Sequence, residues 1–385
     1  MDITDSVKYV GTFDNDIDLF ESQYPVPTGI SYNSYVIFDE KIVIMDTVDK
    51  RKTGEWIKNL ENTLNGKIPD YLVVSHLEPD HSANIALIAK KYSDMKIVLS
   101  CRAACMIQQF FDMDLTDRLI KVNENDELDI GTRKLKFFMA PMVHWPEVMF
   151  TYDEKEKILF AADGFGKFGP IDLNEQEWIE EARRYYFNIC GKYGVQVQSA
   201  LKKASGLDIK IICSLHGPVL KENLGYYINK YDIWSKYEPE EKGILVAYSS
   251  IHGNTKAAIQ ELVNILKSKT NEPIVVCDLA REDMSRVVEY AFMYDRVIIA
   301  SSTYDAGLFP ATESFLRKLK HKNYQNRKVA IIENGSWAPM AGKIMKDLLS
   351  EMKNIDIIEP VITIRTTAKN DTIKSFEDLA DKILK

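Results

Sequence analysis

V-S-H-L-E-P-D-H-S-A-N occupies residues 74–84, directly after the apolar run Tyr71-Leu-Val-Val74. The run reads as a buried strand, and S-A-N-I-A-L-I-A-K-K beyond it reads as a helix. His76, Glu78, Asp80 and His81 therefore fall in one short turn, where four ligand-type side chains can converge over a strand end. Three more candidates stand in equivalent places: His144 after K-F-F-M-A-P, Asp163 after I-L-F-A-A, and His216 after I-I-C-S-L. A lone histidine at such a place is most simply a hydrogen-bonded strand-end residue. Seven ligand-type residues at strand ends make a metal cluster the better reading.

Working outward, the chain has 385 residues, too many for one ordinary core, and two domains are expected. From residue 243 the pattern alternates strand and helix: G-I-L-V-A-Y-S-S, P-I-V-V-C-D-L, R-V-I-I-A-S-S, K-V-A-I-I-E-N and I-I-E-P-V-I-T-I are each followed by a helical segment. This predicts a doubly wound parallel sheet with its ligand at the carboxyl ends of the strands. The first part mixes alternating strands with helices and predicts two sheets packed between helices, an αββα sandwich, with Asp39-Glu40 as the turn of an early hairpin. The charged, proline-bearing stretch 237–242 sets the expected boundary, giving domains 1–241 and 242–385. The run E-W-I-E-E-A-R-R-Y-Y (177–186) is expected to be a solvated helix face.

Three loops of the second half carry a nucleotide-type pattern. In S-S-I-H-G-N-T the hydroxyls of Ser249, Ser250 and Thr255, the Asn254 amide and backbone N–H groups near His252 and Gly253 can cradle a phosphate at a helix N-terminus. The G-K-[ST] order of a nucleotide triphosphatase is absent. S-S-T-Y-D-A-G-L-F-P supplies Ser302, Thr303, Tyr304, Asp305 and Gly307. E-N-G-S-W-A-P-M-A-G supplies Asn334, Gly335, Ser336, Trp337 and Ala338. Each sets an aromatic ring among small residues.

H-x-E-x-D-H followed by separate His, Asp and His, together with H-W-P-E-V-M-F-T-Y, A-D-G-F-G and H-G-P, resembles the metallo-β-lactamase fold as modified in flavodiiron proteins. The resemblance runs over the whole chain, since the second half resembles the flavodoxin domain of that family. It implies two iron ions, with His76, Glu78 and His144 on one, Asp80, His81 and His216 on the other, and Asp163 bridging. It implies FMN in the three loops of the second half. Two imidazoles and one terminal carboxylate per metal is also the ligand balance of non-haem iron sites, whereas zinc hydrolases favour more histidine. The implied activity is reduction of O2 to water and/or NO to N2O. The alternative is a zinc-dependent hydrolase of the lactamase fold fused to a flavodoxin domain.

The resemblance further implies a head-to-tail homodimer, or a dimer of dimers. Five scattered cysteines contain no C-x-x-C pair, so no rubredoxin-type site is expected within the sequence, and electrons are expected from an external donor such as rubredoxin or a reduced flavin or deazaflavin system. A net charge of −8 without a basic stripe argues against nucleic acid. No apolar run approaches the ~18 residues of a membrane span, and the N-terminus lacks a signal pattern, so a cytoplasmic location is expected.

Overall fold

The computed structural model describes residues 1–172 and 175–385, with the backbone alone at 175–177. The chain divides into two compact units, Met1–Asp232 and Ile233–Lys385. The charged stretch around Tyr237 packs within the second: Arg327 donates to the Tyr237 carbonyl at 2.7 Å, and the Glu240 N–H donates to the Met293 carbonyl at 2.9 Å.

The first unit is a two-sheet sandwich. One sheet runs in the order Val7–Tyr9, Tyr35–Ile37, Val43–Met45, Tyr71–Val74, Lys96–Ser100, Leu119–Val122, and the other in the order Glu127–Asp129, Lys134–Met139, Met149–Asp153, Ile158–Phe160, Ile211–Cys213. Alternate residues of both sheets meet in a core of Val7, Tyr35, Ile37, Val43, Val73 and Val98 against Leu135, Phe137, Met149, Ile158 and Phe160. The hairpin register pairs Ile37 with Val43, placing Asp39 and Glu40 in the connection. Helix Thr53–Leu64 buries Trp56, Leu60 and Leu64, a stripe at one-turn spacing.

In the second unit five parallel strands lie in the order Ile274–Asp278, Glu241–Tyr248, Tyr294–Tyr304, Gln325–Asn334, Lys353–Ile364. Ile244, Val246, Ile298, Ile332 and Ile364 form one core with helices Asn254–Lys269 and Asn370–Ile383. Leu245, Ala247, Val297 and Ile331 point the other way and are equally buried. The sheet is therefore covered on both faces, as the near-continuous apolar runs require.

The 177–186 run departs from expectation. Glu177 has its side chain outside the described residues, but Trp178, Ala182, Arg183, Tyr185 and Tyr186 are buried. Arg184 is buried too: it donates to Glu181 at 2.8 Å and to the Pro25 carbonyl at 2.9 Å, with its guanidinium 4.3 Å from the centre of the Phe168 ring. Among the described residues of the run, Glu180 alone stands in solvent and Glu181 is half-buried; the two arginines are internal, Arg184 with partners for its guanidinium, and the aromatic residues around them set the burial.

Candidate functional site

The seven histidines and acids gather at the strand ends of the first unit, all of them largely or fully out of water. The strand Tyr71–Val74 delivers Ser75 and His76. Glu78 then caps the short helix Pro79–Ser82, whose first residue is proline, and this turn brings Asp80 and His81 inward.

Two groups form. His76 Nε2 lies 3.2 Å and His144 Nε2 lies 2.9 Å from the same Glu78 oxygen. Opposite them, His81 Nε2 and His216 Nε2 are each 3.2 Å from Asp80 Oδ2 and 3.1 Å from one another. Asp163 divides its carboxylate between the groups. Its Oδ2 is 3.5 Å from His76 and 3.2 Å from His144, while its Oδ1 is 3.2 Å from His81 and 3.7 Å from His216.

Both oxygens of Asp80 and Asp163 are buried without a well-aligned hydrogen bond. Such groups are expensive to bury unless something satisfies them, and convergent imidazole nitrogens and carboxylate oxygens are satisfied either by protons on the rings or by a shared metal cation. The residues therefore fit two metal ions, with the groups His76, Glu78, His144, Asp163 and Asp80, His81, His216 each compact enough to hold one.

Surrounding groups fix how the imidazoles point. His76 Nδ1 is 2.8 Å from Glu147 Oε1, which also accepts the Leu77 N–H at 2.9 Å. His216 Nδ1 donates to the Ser31 carbonyl at 2.7 Å, which leaves Nε2 as the lone-pair nitrogen of the neutral ring. Asn33 donates to the carbonyls of Ser214 and Gly217 at 2.8 and 2.9 Å, clamping the loop on both sides of His216. Gly217 has φ +76°, and a Cβ there would come 2.7 Å from Lys167 Cγ. Glu147, Ser31 and Asn33 escaped the sequence reading. Glu147 carries a faint signal, a carboxylate three residues past His144, but its partner is 71 positions away.

The electrostatics show how strongly the cluster attracts positive charge. Burial alone would lower the histidines, yet the Asp163 and Glu78 hydrogen bonds and charges push His144 up to about 9. His76 and His81 also rise against burial, the first through Glu147 and Glu78, the second through the charges of Asp80 and Asp163. Burial likewise works to raise Glu78 and Asp163, but the neighbouring histidines hold both well below the usual carboxylate range. Without cations, protons on the rings must offset the buried carboxylates.

In the second unit a cleft of ≈ 550 Å³ opens at the carboxyl ends of the strands. Ser250, His252, Asn254, Thr255, Ser302, Thr303, Tyr304, Asp305, Asn334, Gly335, Ser336, Trp337 and Ala338 line it, joined by Ile251, Ala306, Met340 and Thr366. Ser249, Gly253 and Gly307 stand off its wall. The Ser249 hydroxyl lies beneath, 2.8 Å from Thr312 Oγ1. Gly253 caps the helix at φ +88°, and Gly307 pairs with Tyr304 in a short antiparallel strand. Asn334 exchanges two hydrogen bonds with the Thr366 backbone, 3.0 and 3.1 Å, tying the fourth loop to the last. The indole of Trp337 is 89% exposed at the rim.

Residues 30–217 match the family model described as ODP family beta lactamase, and residues 245–358 match that of a flavodoxin domain. The fold and site thus define a lactamase-like metal domain joined to a flavodoxin domain. Flavo-diiron protein FprA2 of Clostridium acetobutylicum is 28% identical over 397 residues, covering 99% of both chains. The anaerobic nitric oxide reductase flavorubredoxin of Vibrio vulnificus is 26% identical, over 87% of this chain and 70% of its own. The crystal structure of the flavodiiron protein from Giardia intestinalis superposes with a TM-score of 0.93 at 25% identity, covering 99% of this chain and 95% of that one. The chain belongs to the flavodiiron proteins and is an oxidoreductase, with FMN and a di-iron site implied as its cofactors. Among the described residues no helix is long and apolar enough to cross a membrane.

Proposed function

We propose that the chain reduces a diatomic gas, O2 to water and/or NO to N2O, at two iron ions, with electrons relayed by FMN. The observation that carries this reading is the divided carboxylate of Asp163, one oxygen toward each histidine pair. His76, Glu78 and His144 would hold one iron, Asp80, His81 and His216 the other, and Asp163 both. When bound, ferrous ions and reduced FMN supply the electrons and the open coordination positions that gas reduction needs. Glu147 and the Ser31 carbonyl fix the rings so that Nε2 of His76 and His216 faces the metals. Burial of the cluster keeps bulk water away from the ligand atoms.

Domain 1–241 would carry the metals and domain 242–385 the flavin. Hydroxyls of Ser250 and Thr255 and N–H groups at the start of helix Asn254–Lys269 suit the phosphate, and Tyr304 and Trp337 suit the flavin ring. Ser249, Gly253 and Gly307 would serve by shaping these loops. The electron donor we propose is an external rubredoxin or a reduced flavin or deazaflavin system; likeness to a flavorubredoxin supports a rubredoxin-type donor. The working form is a cytoplasmic head-to-tail homodimer or dimer of dimers, which sedimentation analysis of the holoprotein would check.

The decisive experiment measures metals and flavin in natively purified protein, then compares O2 and NO turnover under one artificial donor. Two irons and one FMN per chain, with flavin oxidation by the gas much faster than in His76→Ala or His81→Ala, is the expected result. Two zincs and no iron, or equal rates in wild type and variants, would overturn it.

A further inference from the structure

Behind the metal loops lies an apolar void unrelated to the ligand side chains. It has a volume of ≈ 20 Å³ and is walled by Val143, Phe150, Leu159, Gly164, Phe165 and Tyr231, closed on the helix side by Val197, Ala200, Leu201 and Ala204. One water would need about 10–15 Å³ but also two or more polar partners, and this lining is apolar. The Tyr231 hydroxyl is turned to the chain, accepting the Phe165 N–H at 2.7 Å.

Its position gives the void a purpose. Val143 directly precedes His144, and Gly164 directly follows Asp163. A second seam shares Phe150, Leu159, Ala200 and Ala204 with it and continues past Met139 and Lys203 to Leu207, where the side chains are partly exposed; it is too narrow for a water-sized sphere, so a gas passes along it only as these side chains move. The Lys203 ammonium is held by Glu124 and the Met139 carbonyl, both at 2.7 Å, so its charge is anchored to fixed partners. Helix Gly194–Ala204 presents Val197, Ala200, Leu201 and Ala204 to the space at one-turn spacing, and the alanines are what leave it open.

We propose that this void holds one molecule of a small apolar gas, the diatomic substrate itself, and feeds it to the metal loops from the Ala200–Leu207 side. The proposal rests on the gas-reducing function above for its second half only; occupancy by a gas stands apart from turnover. O2 and NO are small, weakly hydrated molecules that gain by leaving water for a dry apolar space, as xenon does in such cavities.

The test uses iron- and FMN-loaded protein. Xenon-pressurised crystals should show one atom between Phe150, Leu159 and Ala200, and none there would overturn the proposal whatever the enzyme turns over. Ala200→Phe should remove the xenon and lower kcat/KM for the gas by roughly 3- to 10-fold, with kcat at saturating gas and iron content unchanged. Ala204→Leu, at a half-buried position, repeats the test with less overpacking. Val195→Phe, on the 76% exposed outer side of the same helix, should change nothing. Xenon bound in wild type but kcat/KM unaltered in both filled variants would overturn the feeding role. Wild-type protein inert to both gases, with xenon in place, would count against the proposed function and leave the gas site standing.

Discussion

The two cofactor regions solve opposite problems. The metal cluster is almost wholly internal, and its facing ligand atoms crowd within 3–4 Å of each other, the Asp80 and Asp163 oxygens with no aligned hydrogen bond. The cleft of the second unit is open, its walls already bonded to one another through Asn334, Thr366, Ser336 and Thr255. A site built of mutually unsatisfied charges stores demand for a cation. A site built of satisfied loops is a receptacle whose shape exists without its occupant. Substitutions should therefore act all-or-none in the first and gradually in the second.

The largest effect is expected from Asp163→Asn. It touches both histidine pairs, so iron affinity should fall at both positions, by on the order of 100-fold or more, exceeding the loss of an outer partner. Loss of a single iron, counted by metal analysis after gel filtration, would break the bridging assignment. Next comes Glu147→Gln, which among the seven candidate ligands disturbs only His76. About 10- to 100-fold weaker binding of one iron, with the second retained, is expected by titration with a competing chelator.

Proton competition sharpens the same contrast. Metal-free His144 keeps its proton up to about 9, so metal binding below that pH must expel it. Apparent iron affinity should climb as pH rises toward 9, with the raised His76 and His81 adding to the same slope; an affinity independent of pH across that window would contradict the raised imidazoles. In the cleft, Asn334→Ala removes the tie between the fourth and last loops. FMN affinity should drop by about 10-fold in an equilibrium fluorescence titration, while iron content stays constant. The smallest effect belongs to Trp337→Ala: thermal stability of the flavin-free protein should shift by less than about 0.5 kcal/mol, because the side chain is in solvent, while FMN binds more weakly.

The candidate metal cluster was legible because residue type and strand-end position coincide: His76, Glu78, Asp80 and His81 are neighbours in sequence, and His144, Asp163 and His216 follow apolar strands. Their supports were not. Ser31 lies 185 positions from His216, and a backbone carbonyl leaves no mark in residue type. Asn33 and Ser34 interrupt what looks like one long strand, and the chain there breaks into Ile30–Tyr32 and Tyr35–Ile37 in different sheets, freeing Asn33 to clamp the His216 loop. The cleft was legible from the alternation that locates strand ends. Thr366 was missed because a loop with only threonines at its centre lacks the aromatic and glycine signals of its neighbours. The run 177–186 departs from the expected solvated face because a local pattern counts charges, whereas Arg184 is satisfied by the Pro25 carbonyl, 159 positions away, and by the Phe168 ring.

The nearly bare indole of Trp337 has one further consequence. Of five tryptophans, Trp56, Trp178 and Trp234 are sealed in cores and Trp145 is half-buried, so Trp337, far the most exposed, should dominate the red edge of the emission spectrum and be the first reached by iodide or acrylamide. A chromophore settling beside it would darken that emission and shield it from the quencher, making the loading of the cleft readable by light without any label.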